Sequence, residues 1–509
     1  MKTIALLVFG VFALLPTRAP AAGAVDGTAT AARSNSPASA RPDPAAPVSD
    51  NLRRWSQIAI DATGFDHTPV APGEARTFGE QLGPGRASRA MAIVHVAMFE
   101  VMNAITPEYR GFTNVKAQVP ANEIALNAAI AQAARDTLIA LYPSQQAKFD
   151  QFLAQDLNII RSDAGRQNGV SLGQAAAAAV LAQRNGDGVE VAEPAVGTGH
   201  PTSDAPGHWR QDPISRIPLA LGAYWGGCRP WVLTSGSQFR LGAPPAMDSA
   251  EYTAAFDEVK RLGGDGIATP TQRTPEQTFI GIFWAYDGTP SLCAPPRLYN
   301  QIAIRVADQM KTNGLRLARL LALLNVAMAD SGIAAWDSKY YWDFWRPITG
   351  IRESDVGTGP SGLGDGNPNT VGDPGFSPLG APASNATGPN FTPPFPAYPS
   401  GHATFGGAIF QILRRFYKTD TMHFTFVSDE FNGTTRGSDG TVRPLIPRTF
   451  ENFSQPEYEN AISRLYLGIH WNFDASEGIK LGREVGNYVF DNAFRPLRAK
   501  STEFGADSQ

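Results

Sequence analysis

The sequence predicts an all-α fold made of two helical halves, and three observations carry that prediction. Apolar residues recur at helical spacing, as in Ile130, Ala134, Leu138 and Leu141, and again in Leu317, Leu320, Leu321, Leu324 and Met328. No run alternates convincingly at period two. The periodic stretches are separated by connections bearing Gly or Pro, of which the 509 residues contain 50 and 40. With 43% apolar and 18% charged residues the chain is long enough and greasy enough to bury a large core.

Taken in order, residues 1–24 read as a secretory signal. Met1-Lys2-Thr3 precedes the apolar run Ile4 to Leu15, and small residues follow at Ala19, Ala21, Ala22 and Ala24. The run is too short to span a bilayer, so export and no stable membrane insertion after cleavage are expected. Residues 25–50, rich in Ala, Thr, Ser and Pro, read as a flexible linker. An N-terminal helical half is expected over 51–275, with helices near 88–105, 145–160, 164–184 and 249–263. A C-terminal half over 276–500 carries helices near 296–311, 400–418 and 456–493. Between Asp355 and Pro399 a long non-periodic segment is expected to wall an active site. Its Gly357-Thr-Gly359-Pro-Ser-Gly362 resembles a dinucleotide fingerprint but lacks the preceding strand and following helix that would make it one.

Formal charge is −4, with no basic run to neutralise a row of phosphates, so nucleic acid is excluded as a partner. The two cysteines, Cys228 and Cys293, allow one disulfide or two buried thiols. They provide no thiolate cluster for zinc, iron–sulfur or haem.

Three clusters in the C-terminal half carry the chemistry. Lys339 and Arg346 lie two helical turns apart and share a face if Asp337 to Trp345 is helical, with Pro347 as the stop. Such a pair is often merely solvated, but Trp336, Tyr340, Tyr341, Trp342, Phe344 and Trp345 surround it and argue for a pocket. In the second cluster Ser400 can cap a helix whose first turn holds Gly401 and His402, and helix N-termini bind oxyanions. His402 there is either an acid–base group or an ordinary buried histidine. The third cluster opens with a capping box from Ser454 to Glu457 and continues as a helix through Ser463, Arg464, Gly468, His470 and Asp474. One turn from His470, Asp474 can fix the imidazole's tautomer. Arg464, a third of the way round an ideal helix from His470, needs a long reach or a local distortion to join it.

Lys339-x6-Arg346-Pro347, Pro399-Ser400-Gly401-His402 and Ser463-Arg464-x3-Gly468-x-His470-x3-Asp474, in that order, resemble the type-2 phosphatidic acid phosphatase superfamily, whose pockets take phosphate or vanadate. The stretches Trp284-Ala-Tyr-Asp287-Gly, Pro295 to Gln301 and Pro394-Phe395-Pro-Ala-Tyr-Pro-Ser400 look like the chloroperoxidase-type vanadium haloperoxidases within it, over most of 275–490. Ser88 to Ile105 is similar to their N-terminal half, less specifically. The resemblance implies two four-helix bundles and a vanadate cofactor, with phosphate as competing isostere. It makes His470 the axial vanadium ligand, Lys339, Arg346, Ser400, Gly401 and Arg464 the holders of the vanadate oxygens, and His402 the acid–base residue. Asp287 orients an arginine, and Trp336 and Phe395 form the halide neighbourhood or simply pack a wall. The implied reaction oxidises halide, bromide first and chloride as the further candidate, with hydrogen peroxide to hypohalous acid, which halogenates an organic acceptor.

Two rivals use the same residues. In a secreted acid phosphatase His470 is the nucleophile and His402 the general acid. A non-catalytic oxyanion binder would not need His402.

Overall fold

The computed structural model describes residues 48–497, so the signal expected over 1–24 and the linker up to residue 47 lie outside the described residues. Helix α1 (Val48–Asp66) starts within the last residues assigned to the linker, which corrects that boundary. It is anchored by buried Trp55, whose indole N–H donates to Asp156 Oδ2 at 2.7 Å.

Helices α2 (Gly83–Ile105), α3 (Leu126–Leu141), α4 (Gln146–Asn158) and α5 (Asp163–Gln183) follow; α2, α3 and α5 pack mutually as the first bundle. Ser162 caps α5 by accepting from the Gly165 N–H, which satisfies one of its orphan donors. Helix α6 (Ala250–Leu262) is capped in the same way by Ser249. Helix α7 (Pro275–Phe283) opens with a complete Thr274–Gln277 capping box and Pro275 in the first turn. After α8 (Pro295–Gln309) comes α9 (Gly314–Trp342), whose 29 residues run through the middle of the molecule. It packs on α2 on one side and, on the other, on α11 (Gly401–Tyr417) and α13 (Asn472–Asn492), which with α12 (Ser454–Tyr466) form the second bundle. A single apolar core, including Met98, Leu324, Met328, Ile409 and Val485, therefore spans both halves. Helices α2 and α9 are long and apolar enough to cross a membrane, but both are packed inside the protein.

The tightest crossing is that of α11 and α13. A Cβ on Gly482 would fall 2.1 Å from the Thr404 carbonyl oxygen, so only glycine permits this approach. The approach sets the N-termini of the two helices side by side.

Three expectations are corrected. The chain contains an antiparallel hairpin, β1 (Thr421–Asn432) and β2 (Leu445–Asn452), in register at Phe424 with Phe450. Met422, Phe424, Phe426, Ser428 and Glu430 face inward at period two. The helix expected over 456–493 is broken: α12 ends at Tyr466 and α13 begins at Asn472. Gly468, with φ +72°, turns the chain between them. The Ser454–Glu457 capping box does not form either, because Glu457 instead takes both nitrogens of Arg414 and the guanidinium of Arg483. Cys228 and Cys293 are buried free thiols, which settles the alternative left open by their number.

Candidate active site

Four chain segments converge beneath the N-termini of α11 and α13. The first is the end of α9. Its helix stops at Trp342, where Asp343 turns left-handed (φ 49°), and α10 (Pro347–Arg352) starts anew with Pro347 in its first turn. Pro347 therefore begins a helix, and the shared helical face expected for Lys339 and Arg346 does not exist. The two cations converge because the chain reverses between them. Lys339 is fully buried and donates through Nζ to the carbonyls of Pro396 and Ala397 at 2.8 and 3.0 Å. Burial, reinforced by Arg346, holds its ammonium well below the usual lysine range.

Arg346 donates from Nε to the Phe395 carbonyl (2.9 Å) and from Nη1 to the Ile469 carbonyl (2.7 Å) and to His470 Nε2 (2.9 Å). A guanidinium can only donate, so His470 Nε2 carries a lone pair. The proton then sits on Nδ1 and is donated to Asp474 Oδ2 at 2.8 Å. Asp474 stands in the first turn of α13 and also accepts from the Trp471 N–H at 3.0 Å. Burial raises its carboxyl, against the pull of Lys339. Burial and the positive charge of Arg346, Lys339 and Arg464 keep His470 neutral, its pKa far below 6.5.

The break after α12 resolves the placement of Arg464. His470 lies outside both helices, and the turn at Gly468 brings it beside Arg464 on the same cavity wall. Arg464 Nη2 donates to both oxygens of Asp287 at 2.7 Å, and burial raises that carboxyl even beside the guanidinium. On the third segment Ser400 caps α11 by accepting from the Ala403 N–H at 3.4 Å. His402 donates from Nε2 to the Ala285 carbonyl at 2.6 Å, which leaves Nδ1 as an acceptor. Burial and Arg464 hold its pKa well below the usual value. Tyr299 steadies that turn by donating to the His402 carbonyl at 2.9 Å.

These groups surround a cavity of about 70 Å3. Asp287, Trp336, Phe395, Gly401, His402, Arg464 and His470 line it. Lys339, Arg346 and Ser400 are one layer behind, with Lys339 Nζ 5.0 Å from the Phe395 ring centre. Trp336 and Phe395 pack with ring centroids 4.9 Å apart, and the Trp336 indole donates to the Leu221 carbonyl at 3.0 Å. The wall also includes residues of the N-terminal half that sequence reasoning missed: His67, Leu82, Gly83 and Pro84. No motif marks them; a lone histidine far from the clusters carries no signal.

Charge decides what fits. Three cationic side chains confront two carboxylates, and Arg346 Nη2, Arg464 Nε and Arg464 Nη1 are buried with no partner among the described residues. Unpaired buried guanidinium N–H groups are costly, and an oxyanion with several acceptor atoms satisfies them. A phosphate- or vanadate-sized anion matches both the donors and the volume.

Residues 319–499, which carry most of these groups, match the family model of the VCPO (vanadium chloroperoxidase) second helical-bundle domain. Over this domain the chain is similar to the vanadium chloroperoxidases. It is 40% identical to the vanadium chloroperoxidase of Curvularia inaequalis over 278 residues, 47% of this chain and 44% of that protein. The match thus spans less than half of the relative's length. A bacterial vanadium-dependent iodoperoxidase shares the fold at a TM-score of 0.68 and 24% identity, covering 89% of this chain and 98% of its own. An apo-type bacterial vanadium-dependent chloroperoxidase does so at 0.60 and 18% identity, covering 81% and 94%. The all-α architecture read from the sequence is that of these haloperoxidases.

Proposed function

We propose that this chain holds vanadate in the cavity between α11 and α13 and oxidises halide, bromide or chloride, with hydrogen peroxide to hypohalous acid. The observation that carries the reading is the set of unpartnered guanidinium N–H groups around a small chamber walled by a neutral histidine. Relatives named as vanadium chloroperoxidase and vanadium-dependent iodoperoxidase support it.

In this reading the free N–H groups of Arg464 and Arg346 and the Gly401 N–H would hold the anion's oxygens, with the Lys339 charge and the Ser400 hydroxyl added from the layer behind. His470 would offer vanadium the Nε2 lone pair that in this structure accepts from Arg346, and Asp474 fixes the ring by accepting from Nδ1. Asp287 holds the Arg464 fork in place. His402, unprotonated at Nδ1, takes a proton there from hydrogen peroxide and later returns it. Trp336 and Phe395 exclude bulk water and form the halide wall. Bound vanadate supplies Lewis acidity that activates peroxide toward halide without a change of oxidation state.

The test is peroxide-dependent halogenation of a phenol, with bromide and with chloride, by the vanadate-loaded protein and its His470→Ala variant. Activity that needs vanadate and disappears in the variant is expected. Phosphatase turnover in the vanadate-free protein without halogenation would move the assignment to the phosphatase reading. Binding of vanadate with neither activity would leave an oxyanion binder. Export is a further proposal, supported by the run from Met1 to Ala24; a mature N-terminus close to Val25 is expected from sequencing of the secreted protein.

A further inference from the structure

The inner chamber is too small for the molecule that hypohalous acid would attack. At about 70 Å3 it has room for a tetrahedral anion and a few waters. Outside it lies a vestibule of about 1200 Å3, large enough for a drug-sized molecule. The two share His67, Ile217, Gly288 and Phe391 as common walls, so the chamber adjoins the vestibule directly.

The vestibule has a distinctive chemistry. Pro69, Pro213, Pro218, Pro290 and Pro389 make its walls stiff and apolar, and the mostly buried Phe391 lines both it and the chamber. Its charged lining residues other than His67 are two arginines, Arg216 and Arg436, and among the described residues no carboxylate lines it. Both arginines are exposed, and their side-chain hydrogen bonds among the described residues go to backbone carbonyls: Arg216 to Pro213, Arg436 to Gly440. Neither guanidinium is spent on a carboxylate.

Their placement is built. Arg216 sits at φ 52°, a conformation that non-glycine residues adopt at a cost. The turn that imposes it is locked by the Asp212 carboxylate, which accepts from the N–H groups of Ile214 and Ser215 and from the Thr392 N–H. On the facing segment Arg436 is tied to Asn385 by two hydrogen bonds of 2.9 Å, its N–H to the side chain and its carbonyl to the Asn385 N–H.

From this juxtaposition we propose that the vestibule binds the organic acceptor and selects a flat, largely apolar molecule bearing a carboxylate. The carboxylate pairs with Arg216 and Arg436, and the ring lies against Phe391 at the mouth of the chamber. Hypohalous acid from the chamber transfers its halogen there: a ring carbon–halogen bond forms, the oxygen–halogen bond breaks, and the displaced ring proton leaves with hydroxide as water. The inference rests on the proposed haloperoxidase reading for its chemistry, but the binding site stands on its own residues.

The test is calorimetric titration of the full chain with 2-naphthoate and with neutral 2-naphthol, in excess inorganic phosphate to fill the inner anion site. The protein is compared with its Arg216→Gln, Arg436→Gln double variant, in which both changes are exposed. Naphthoate is expected to bind about tenfold more weakly to the variant, the sum of two modest ion pairs, while naphthol binding stays the same. In the vanadate-loaded variant the KM for naphthoate bromination rises and phenol bromination is unchanged. Equal naphthoate affinity for both proteins, equal losses for naphthoate and naphthol, or displacement of naphthoate by phosphate would each overturn the site. Arginine-dependent naphthoate binding in a protein that oxidises no halide upholds the site and removes only the haloperoxidase reading.

Discussion

The backbone N–H of Ser400 donates to the carbonyl of Asp474 at 2.9 Å, which ties the first turn of α11 to that of α13. The residue that caps one helix and the carboxylate that orients His470 are thereby held as one unit. The tie depends on how closely the two helices cross.

Gly482→Ala tests that dependence. The added methyl group would meet the Thr404 carbonyl at 2.1 Å, so the helices must part. Overpacking of this kind costs about 3 kcal/mol, measurable by urea unfolding. Phosphate affinity is expected to fall with it, because the Ser400–Asp474 tie stretches. Unchanged stability would mean that the helices do not meet at this glycine.

Asp474→Asn tests the tautomer of His470. The carboxylate accepts from His470 Nδ1 and the Trp471 N–H through one oxygen, while its other oxygen has no partner among the described residues. Loss of such an outer partner weakens metal-site affinity about 10- to 100-fold. Vanadate binding followed by equilibrium dialysis gives the reading; an unaltered dissociation constant would show that Arg346 alone orients the ring.

Asp287→Asn breaks the pair with Arg464, whose side chains are only 6% and 1% exposed. Removing one partner of a buried pair costs about 3 to 5 kcal/mol. Chemical unfolding at neutral pH should show a loss of that size, and a loss below about 1 kcal/mol would place the pair in solvent.

His95, buried in the first bundle, gives a prediction on pH. It donates from Nδ1 to the Met91 carbonyl and accepts at Nε2 from Ser56, and burial lowers its pKa to about 4. A depressed histidine binds its proton in the unfolded chain first, so its stability contribution is complete above about pH 6.5 and is lost as pH falls toward 4. The loss is about 3 kcal/mol. His95→Gln should flatten the unfolding free energy across this window; an identical pH slope in the variant would discount the histidine.

The sequence made the site's chemistry legible because its three clusters sit at helix ends, where residue type and spacing are constrained. It did not make the geometry legible. The left-handed Asp343 and Gly468 reverse the chain at the two places where ideal helices were expected to continue; Asp343 does not announce its turn by type, and Gly468 was read as part of a continuing helix although glycine readily takes positive φ. The hairpin was missed for a related reason. Its inward face begins with Met422, Phe424 and Phe426 but continues with Ser428 and Glu430, which are buried because they bond to the Phe283 carbonyl, Ser384 and Arg443. A buried polar residue with partners erases the apolar alternation that would have revealed the strand. The walls from His67 and Leu82 to Pro84 reach the site only through long-range packing, which leaves no local pattern.

The position of α9 between the two bundles also has a consequence in time. One face of α2 is covered by a helix that begins at Gly314, roughly two hundred residues later. At a synthesis rate of about 5 to 20 residues per second, the first bundle waits some tens of seconds with that face uncovered. The emergence of α9 ends that wait for the first bundle, while the face of α9 that packs on α11 and α13 waits in turn for those later helices.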